Sequence, residues 1–310
     1  MAETILCEPI SDSATAHLSE GLEQRKYANV LGVAIDAVDM EKALAMVAAQ
    51  LRQQRKGYVC FVDVHGILEA LTSETFAETY RHAAMAMPDG TPTVWVGRAQ
   101  GLAEMNPVTG PAMMNEIFRR AQFAGCTHYF YGGEPGVAEE LAAALCRKYP
   151  WTRIAGIFTP PFRELTRGEE AELVAEVSRL KPDIVWVGIG APRQELWMRS
   201  MLPRLDTRMM FGVGAAFDFL TGRIRLCPEW MKRAGLHWLH RLAQDPARLW
   251  MRNVRNTAFL WHIALQLSGA RQYPMRARAE AAEQPSAATR TAQREVAESS
   301  LQYGAPLSGG

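Results

Sequence analysis

The chain has 310 residues, of which 48% are hydrophobic and 22% are charged, and its formal net charge is +1. This length favours one large α/β domain with additional segments. The near-neutral charge argues against a generic polyanion binder, and we expect no nucleic-acid partner. Five scattered cysteines without a C-x-x-C pair are typical of a reducing compartment, so neither a disulfide framework nor a zinc site is expected.

Both ends of the chain have the composition of tails. Residues 1–27 are acidic and polar where a signal peptide needs a basic start and an apolar run, so they are expected to form a flexible leader. Residues 273–310 are rich in Ala, Glu, Gln, Arg and Ser and are expected to be disordered. No run reaches the ~18 apolar residues of a membrane span. We therefore expect a cytoplasmic protein that does not cross a membrane.

Between the tails, apolar runs alternate with helical periodicity. The runs predict strands at 31–36, 58–64, 127–131, 153–158, 184–189 and 209–213, with one more ending at Met87. The periodicity predicts helices at 40–55, 67–84, 111–124, 137–149, 169–180 and 195–205. This alternation indicates an α/β core over 28–227, with a mostly parallel sheet covered by helices on both faces. Two further helices, 230–243 and 246–267, have no strand between them and predict a helical appendage over 228–272.

Glycines follow two of the predicted strands, where ligands of doubly wound sheets bind. Gly132 and Gly133 follow one strand, and Gly188 and Gly190 follow another. They can let backbone N–H groups approach a phosphate at a helix N-terminus, although each pair alone is also ordinary turn composition. Neither completes G-x-G-x-x-G, so a nicotinamide-dependent oxidoreductase is the weaker alternative. Five strand-to-helix junctions with distinctive residues, at 63–66, 88–92, 131–134, 188–195 and 212–218, together favour a nucleotide or nucleotide-sugar site.

Carboxylates also follow the strands. Asp89 lies within Pro-Asp-Gly, which is either a plain turn or a general base that takes the proton of an attacking hydroxyl. Asp63 and His65 lie two apart at a strand end, so we expect them on one face as a second polar pair with a catalytic role. The alternative is that His65 satisfies a loop carbonyl.

Two junctions offer substrate-binding side chains. Gln194 and Glu195 begin a helix, where they either bond sugar hydroxyls or form a solvated first turn. Asp218 closes the last junction and is a further candidate.

No Asp-x-Asp pair is present to hold a metal on a diphosphate, so we expect no metal site and cations in its place. Residues 223–255 contain eight Lys or Arg against one Glu and one Asp, with Arg241, Arg248 and Arg252 among them. Arginine suits diphosphate oxygens, and a basic helix bearing Trp suits an anionic membrane surface. A solvated basic face packed through its tryptophans is the alternative.

Taken in order, these motifs resemble those of the WecG/TagA/CpsF family, glycosyltransferase family 26. The residues that carry the resemblance are Asp63-Val64-His65, Pro88-Asp89-Gly90, Gly188-x-Gly190-Ala191-Pro192-Arg193-Gln194-Glu195, Gly212-Val213-Gly214-Ala215-x-Phe217-Asp218, and Gly235-Leu236-x-Trp238-Leu239-x-Arg241-Leu242 with Asp245-Pro246-x-Arg248. The similarity covers roughly residues 30–255. Asp63 stands where the family commonly has a neutral side chain.

The resemblance implies a Rossmann-like core and an inverting, metal-independent transferase without a cofactor. It would move N-acetylmannosamine, its uronic acid or glucose from a UDP-sugar to a polyprenyl-diphosphate-linked acceptor, in cell-surface or exopolysaccharide biosynthesis at the inner face of a bacterial membrane. It implies that Asp89 is the catalytic base and that Arg241, Arg248 and Arg252 bind the UDP diphosphate. A homo-oligomer is compatible with it. The alternative is a nucleotide-binding adaptor at the membrane surface without transferase activity.

Overall fold

The computed structural model describes residues 25–224, 227, 231, 237–244, 246–276 and 278. Within helices, the side chains of 237, 238, 241, 244 and 246–255 lie outside the description. The strands are β1 Tyr27–Val30, β2 Val33–Asp36, β3 Gly57–Val62, β4 Met85–Pro88, β5 Thr127–Gly132, β6 Arg153–Phe158, β7 Ile184–Gly188 and β8 Met209–Gly212. The helices before β7 are α1 Met40–Arg52, α2 Val64–Thr72, α3 Glu74–Arg81, α4 Thr91–Ala99, α5 Gly110–Arg119, α6 Val137–Lys148 and α7 Arg167–Leu180. The later helices are α8 Arg193–Met201, α9 Ala216–Leu220, α10 His237–Gln244 and α11 Pro246–Leu267.

Six parallel strands form the central sheet in the order β4-β3-β8-β7-β5-β6. The central strands are buried on both faces, as their continuous apolar sequences predict. One apolar cluster joins a face of the sheet to α2, α3, α7, α8 and α11, and a second joins the other face to α1, α5, α6 and α9. The predicted α/β, Rossmann-like class is confirmed.

Local signals in the sequence explain most helix starts. Asp39, Asp63, Ser73 and Thr109 each accept a backbone N–H of the first helical turn that follows, and Thr166 forms a full capping box with Glu169. Ser73 both ends α2 and caps α3. The single helix predicted over 67–84 was therefore wrong, because this cap divides it.

Two further differences lie near the first strands. The run predicted as one strand over 31–36 is part of an antiparallel hairpin, in which Leu31 and Gly32 form the turn with φ of 51° and 89°. Helix α4 was not predicted, because Pro92 and Gly97 obscure its periodicity. Pro92 in fact occupies the first turn, where its missing N–H costs nothing.

The C-terminal part of α11 packs on the core. Phe259 and Ile263 are buried in the cluster that includes α2, and Gln266 bonds the hairpin at Asn29 O and Leu31 N. The following segment returns along the same hairpin. Tyr273, where the disordered tail was expected to begin, is 8% exposed, and Arg278 reaches the buried Asp36 at 3.1 Å. The packed chain thus extends to Arg278; the rest of the domain division stays a prediction.

Within the described residues, no helix is both long enough and apolar enough to cross a membrane.

Candidate active site

The junctions singled out in the sequence lie side by side along one edge of the sheet. The register pairs Val62 with Pro88, Cys60 with Gly212, and Gly132 with Gly188. Since the carboxyl ends of parallel strands share an edge, the segments after β4, β3, β8, β7 and β5 form one continuous crevice rim. Carboxylates occupy the β4–β3 end of this rim, and glycines occupy the β8–β7–β5 end.

Asp89 and Asp63 are neighbours at the carboxylate end. Each directly follows a strand, and the residues just before them, Pro88 and Val62, are register partners. The Asp89 N–H donates to the Val62 carbonyl at 3.1 Å, which joins the two strand ends. Both residues are half-buried. The geometry suits a base that faces a ligand while its backbone is held by the sheet. The catalytic role itself stays a prediction.

The Asp63 carboxylate has a structural task. Asp63 is the N-cap of α2, and its Oδ1 accepts the Gly66 N–H at 2.8 Å. His65 lies in the first turn of this helix, so the interpretation that placed Asp63 and His65 on one face of a strand was wrong: the strand ends at Val62. Asn and Asp cap helices about equally well, so a carboxylate here still performs the cap. The catalytic role expected for both residues is not tested by this geometry.

Tyr80 of α3 was missed by the sequence interpretation. A Cβ placed on Gly66 would lie 2.0 Å from the Tyr80 hydroxyl oxygen, so the hydroxyl presses against the first turn of α2. Tyr80 is 4% exposed. Burial raises the pKa of Tyr80 well above its usual value, and the charges of Glu195, Cys60, Asp63 and Asp89 raise it further. Tyr80 is therefore a buried, neutral phenol whose hydroxyl lies against the helical turn that Asp63 caps.

The four predicted phosphate-binding glycines are not equivalent. A Cβ on Gly132 would lie 2.5 Å from Gly188 O, and one on Gly188 would lie 3.2 Å from Gly214 O. Gly133, with φ of 80°, faces the buried ring of Phe217 at 3.3 Å. These three are required by close packing of the strand ends. Only Gly190 among the four, with φ of 81°, has open space at its Cβ position.

Gln194 and Glu195 face inward rather than into solvent, which excludes the solvated first turn. Gln194 Nε2 donates to Gly212 O and to Glu195 Oε1, both at 2.8 Å, and its Oε1 accepts the Gly214 N–H at 3.0 Å. These bonds hold the loop after β8. Glu195 is fully buried, and burial raises its pKa to about 7 despite the Gln194 bond, with the Asp63 charge contributing in the same direction. Contact of either residue with a sugar stays a prediction.

Beyond the glycine end, the loop after β6 carries an exposed aromatic ring that the sequence analysis also missed. Phe162, on the loop after β6, is 96% exposed, and the Arg193 guanidinium lies 5.2 Å from its ring centroid. Arg193 is fixed by a bond to Ile189 O. Asp218 is half-buried in α9, directly beyond the Gln194-held loop. An apolar ring and a carboxylate thus flank the glycine end of the crevice. Pro160-Pro161 before Phe162 was the available sequence signal, because prolines stiffen an exposed loop.

A comparison with known families decides the class of protein. A family model described as "Glycosyl transferase WecG/TagA/CpsF family" matches residues 28–273. The chain belongs to this glycosyltransferase family. The transferase is also similar to the N-acetylglucosaminyldiphosphoundecaprenol N-acetyl-beta-D-mannosaminyltransferase of Bacillus spizizenii, at 24% identity over 202 residues, which cover 65% of this chain and 76% of the relative. The resemblance inferred from the motifs is confirmed.

The arginines expected to bind the diphosphate are only partly placed. Arg241 lies in α10, and Arg248 and Arg252 lie in α11, but their side chains lie outside the described residues. Among the residues that the structure does describe, no three His, Cys, Asp or Glu side chains are grouped as a metal site.

The C-terminal part of α11, from residue 256 onward, exposes large apolar side chains on its outer face in this transferase. Leu260 is 68% exposed, Trp261 66% and Leu267 53%, while the opposite face buries Phe259 and Ile263. No charged residue occurs between Arg255 and Arg271. Contiguous exposed apolar side chains of this kind are typical of an interaction surface.

Proposed function

We propose that this transferase moves a sugar from a UDP-sugar to a polyprenyl-diphosphate-linked acceptor, with inversion and without a metal ion. The observation that carries the proposal is the division of one crevice into a carboxylate end, with Asp89 beside Asp63, and a glycine end with helix N-termini. The acceptor hydroxyl attacks the anomeric carbon as Asp89 takes its proton, and the bond to the UDP β-phosphate breaks. One displacement inverts the anomeric centre.

The glycine end suits the nucleotide. The open space at Gly190, just before the start of α8, offers room for the diphosphate near a helix N-terminus. The exposed ring of Phe162 suits stacking on the base, and the Asp218 carboxylate suits the ribose hydroxyls. Arg241, Arg248 and Arg252 of the appendage supply the charge that stabilises the leaving diphosphate in the proposal. The relative's printed name supports N-acetylmannosamine as the donor sugar and an N-acetylglucosamine-bearing lipid diphosphate as the acceptor.

Substitution of Asp89 tests the chemistry. Asp89→Asn keeps the shape of the side chain but cannot accept the proton, so transfer should fall about 10²- to 10⁴-fold, while UDP affinity should stay within about twofold. Asp206→Asn is the matched control, because Asp206 is exposed and precedes β8 at the other edge of the sheet. Unchanged turnover in Asp89→Asn would remove Asp89 from the role.

A screen of UDP-sugars identifies the donor. UDP release is measured with N-acetylmannosamine, N-acetylmannosaminuronic acid and glucose donors and a short-chain lipid-diphosphate N-acetylglucosamine acceptor, with and without chelator. We expect release with one donor and no effect of the chelator. Strict dependence on Mg²⁺ or Mn²⁺ would contradict the arginine role. UDP binding without transfer to any acceptor would favour the adaptor instead.

We also propose that α11 docks the enzyme peripherally on the anionic inner face of the plasma membrane. Its outer face supplies Trp261 and Leu260 for the interface, and its sequence supplies Arg255, which is not assigned to the diphosphate, for anionic headgroups. Leu260→Ser with Trp261→Ser should lower binding to vesicles that contain phosphatidylglycerol. The control is Trp151→Gln, at an exposed tryptophan before β6. Equal vesicle binding by both variants would refute this docking face.

A further inference from the structure

Glu195 is a buried carboxyl for which the proposed sugar-transfer chemistry has no use. It is 0% exposed, and its Oε2 has no hydrogen-bond partner. The carboxyl accepts from the Gln194 amide through Oε1, and its own backbone N–H is a second donor that favours the charged form. An ionised carboxylate with one oxygen unbonded in a buried site costs much more than a neutral carboxylic acid there. The geometry thus favours the protonated form.

The position of Glu195 connects it to the nucleotide end of the crevice. Gln194 joins the Glu195 carboxyl to Gly212 O and Gly214 N–H, so Glu195 lies one hydrogen-bonded layer beneath the loop after β8. The loop leads directly to Asp218 in α9. A negative charge at Glu195 would lie beneath the glycine end of the crevice, where the diphosphate is proposed to bind.

The other groups that face Glu195 add no cation. Asp63 at the end of β3 raises its pKa, and Glu195 in turn raises those of Cys60 and Tyr80. Strands β7 and β8, on which α8 also packs, contain no titratable residue. Helix α3 packs on α8 as well, and its one cation, Arg81, is paired with Glu78. Ionisation of Glu195 would therefore place a buried negative charge near the half-buried Asp63 carboxylate, without a compensating partner among these groups.

We propose that Glu195 is a positioning residue that holds the Gln194-bound loop and carries a proton while the nucleotide diphosphate binds. This inference rests on the proposed function. In its protonated form, Glu195 supports the loop at no electrostatic cost to an anionic ligand. Its pKa is about 7, so Glu195 loses this proton above neutral pH. The negative charge beneath the glycine end of the crevice then repels the diphosphate.

The test is UDP affinity as a function of pH in wild type and Glu195→Gln. The glutamine amide oxygen can still accept the Gln194 bond, but the side chain cannot ionise. If binding raises the Glu195 pKa by about one unit, the wild-type Kd should rise about sevenfold between pH 6 and pH 8.5 relative to the variant. UDP itself titrates alike with both proteins, so the ratio isolates Glu195. Glu104→Gln, at an exposed loop position, is the control and should follow wild type.

A second measurement follows the proton directly. Wild-type protein should take up a fraction of a proton when UDP binds at pH 7.5, as measured from the dependence of the binding heat on the buffer's ionisation enthalpy. A pH-independent ratio of Kd values, or proton uptake that persists in Glu195→Gln, would overturn the inference. Absence of UDP binding at any pH would instead overturn the proposed function, so the two failures are distinguishable.

Discussion

Gly66 is a position where a single methyl group tests how the crevice is supported. Its Cβ would lie 2.0 Å from the Tyr80 hydroxyl oxygen but 3.2 Å from the ring carbon that bears it. The Tyr80 ring has no room to move away, because it is buried and packs edge-on against Phe76 with the ring centroids 4.9 Å apart. Overpacking costs about 1–3 kcal/mol, and replacing glycine by alanine inside a helix returns about 1 kcal/mol. Gly66→Ala should therefore lower the free energy of unfolding by up to about 2 kcal/mol.

The clash is with one atom, so removing that atom should remove most of the cost. In the Tyr80→Phe background, mainly the helix-propensity gain of about 1 kcal/mol should remain. The coupling free energy in a double-mutant cycle should therefore equal the overpacking cost of about 1–3 kcal/mol. Urea unfolding followed by circular dichroism measures all four proteins. Because the Gly66 N–H holds the Asp63 carboxylate, sugar transfer should fall in Gly66→Ala and recover in the double variant. Equal destabilisation by Gly66→Ala in both backgrounds would refute the reasoning.

Three further predictions concern single side chains. Gly190→Ala should weaken UDP binding. Gly101→Ala is the control, because Gly101 has a φ of 89° and equally open space, so it should carry the same left-handed strain of about 1 kcal/mol without affecting UDP affinity. Equal UDP affinity in the two variants would contradict a diphosphate site at Gly190. Asp63→Ala should lower the unfolding free energy by about 1 kcal/mol and Asp63→Asn by much less, as chemical denaturation will measure. Burial lowers the pKa of His128 to about 3, below its value of 6.5 in the unfolded chain. The stability that neutral His128 contributes is therefore complete above pH 6.5, and up to about 1.4 kcal/mol of it is lost per pH unit as the pH falls towards 3. His128→Gln should flatten that part of the stability profile, and an unchanged profile would exclude His128 as its source.

The sheet could be predicted because its strands are unbroken apolar runs, and the crevice could be located because strand ends of a parallel sheet meet. Asp89 and the glycine junctions were found in this way. The division of 67–84 into two helices depends on Ser73, which a periodicity count passes over. Helix α4 was missed because proline and glycine weaken its signal.

The functions of the glycines could not be read from the sequence. Gly132 is required by the backbone of Gly188 across a strand pair, and Gly188 by the backbone of Gly214, which only the register reveals. Tyr80 lies in a helix between the strands that carry Asp63 and Asp89, and no local pattern places its hydroxyl beneath them. Glu195 was found for its position at a helix start, but its burial depends on packing against β3 and β8.

The return of the C-terminal segment to the first hairpin has a consequence for synthesis. Asp36 is 1% exposed and is held by Arg25, the Ala86 N–H and Arg278. Arg25 and Ala86 leave the ribosome early, while Arg278 follows 242 residues after Asp36. The nascent chain must therefore protect this carboxylate with one arginine until Arg278 has been made. Full closure of the first hairpin is a long-range event.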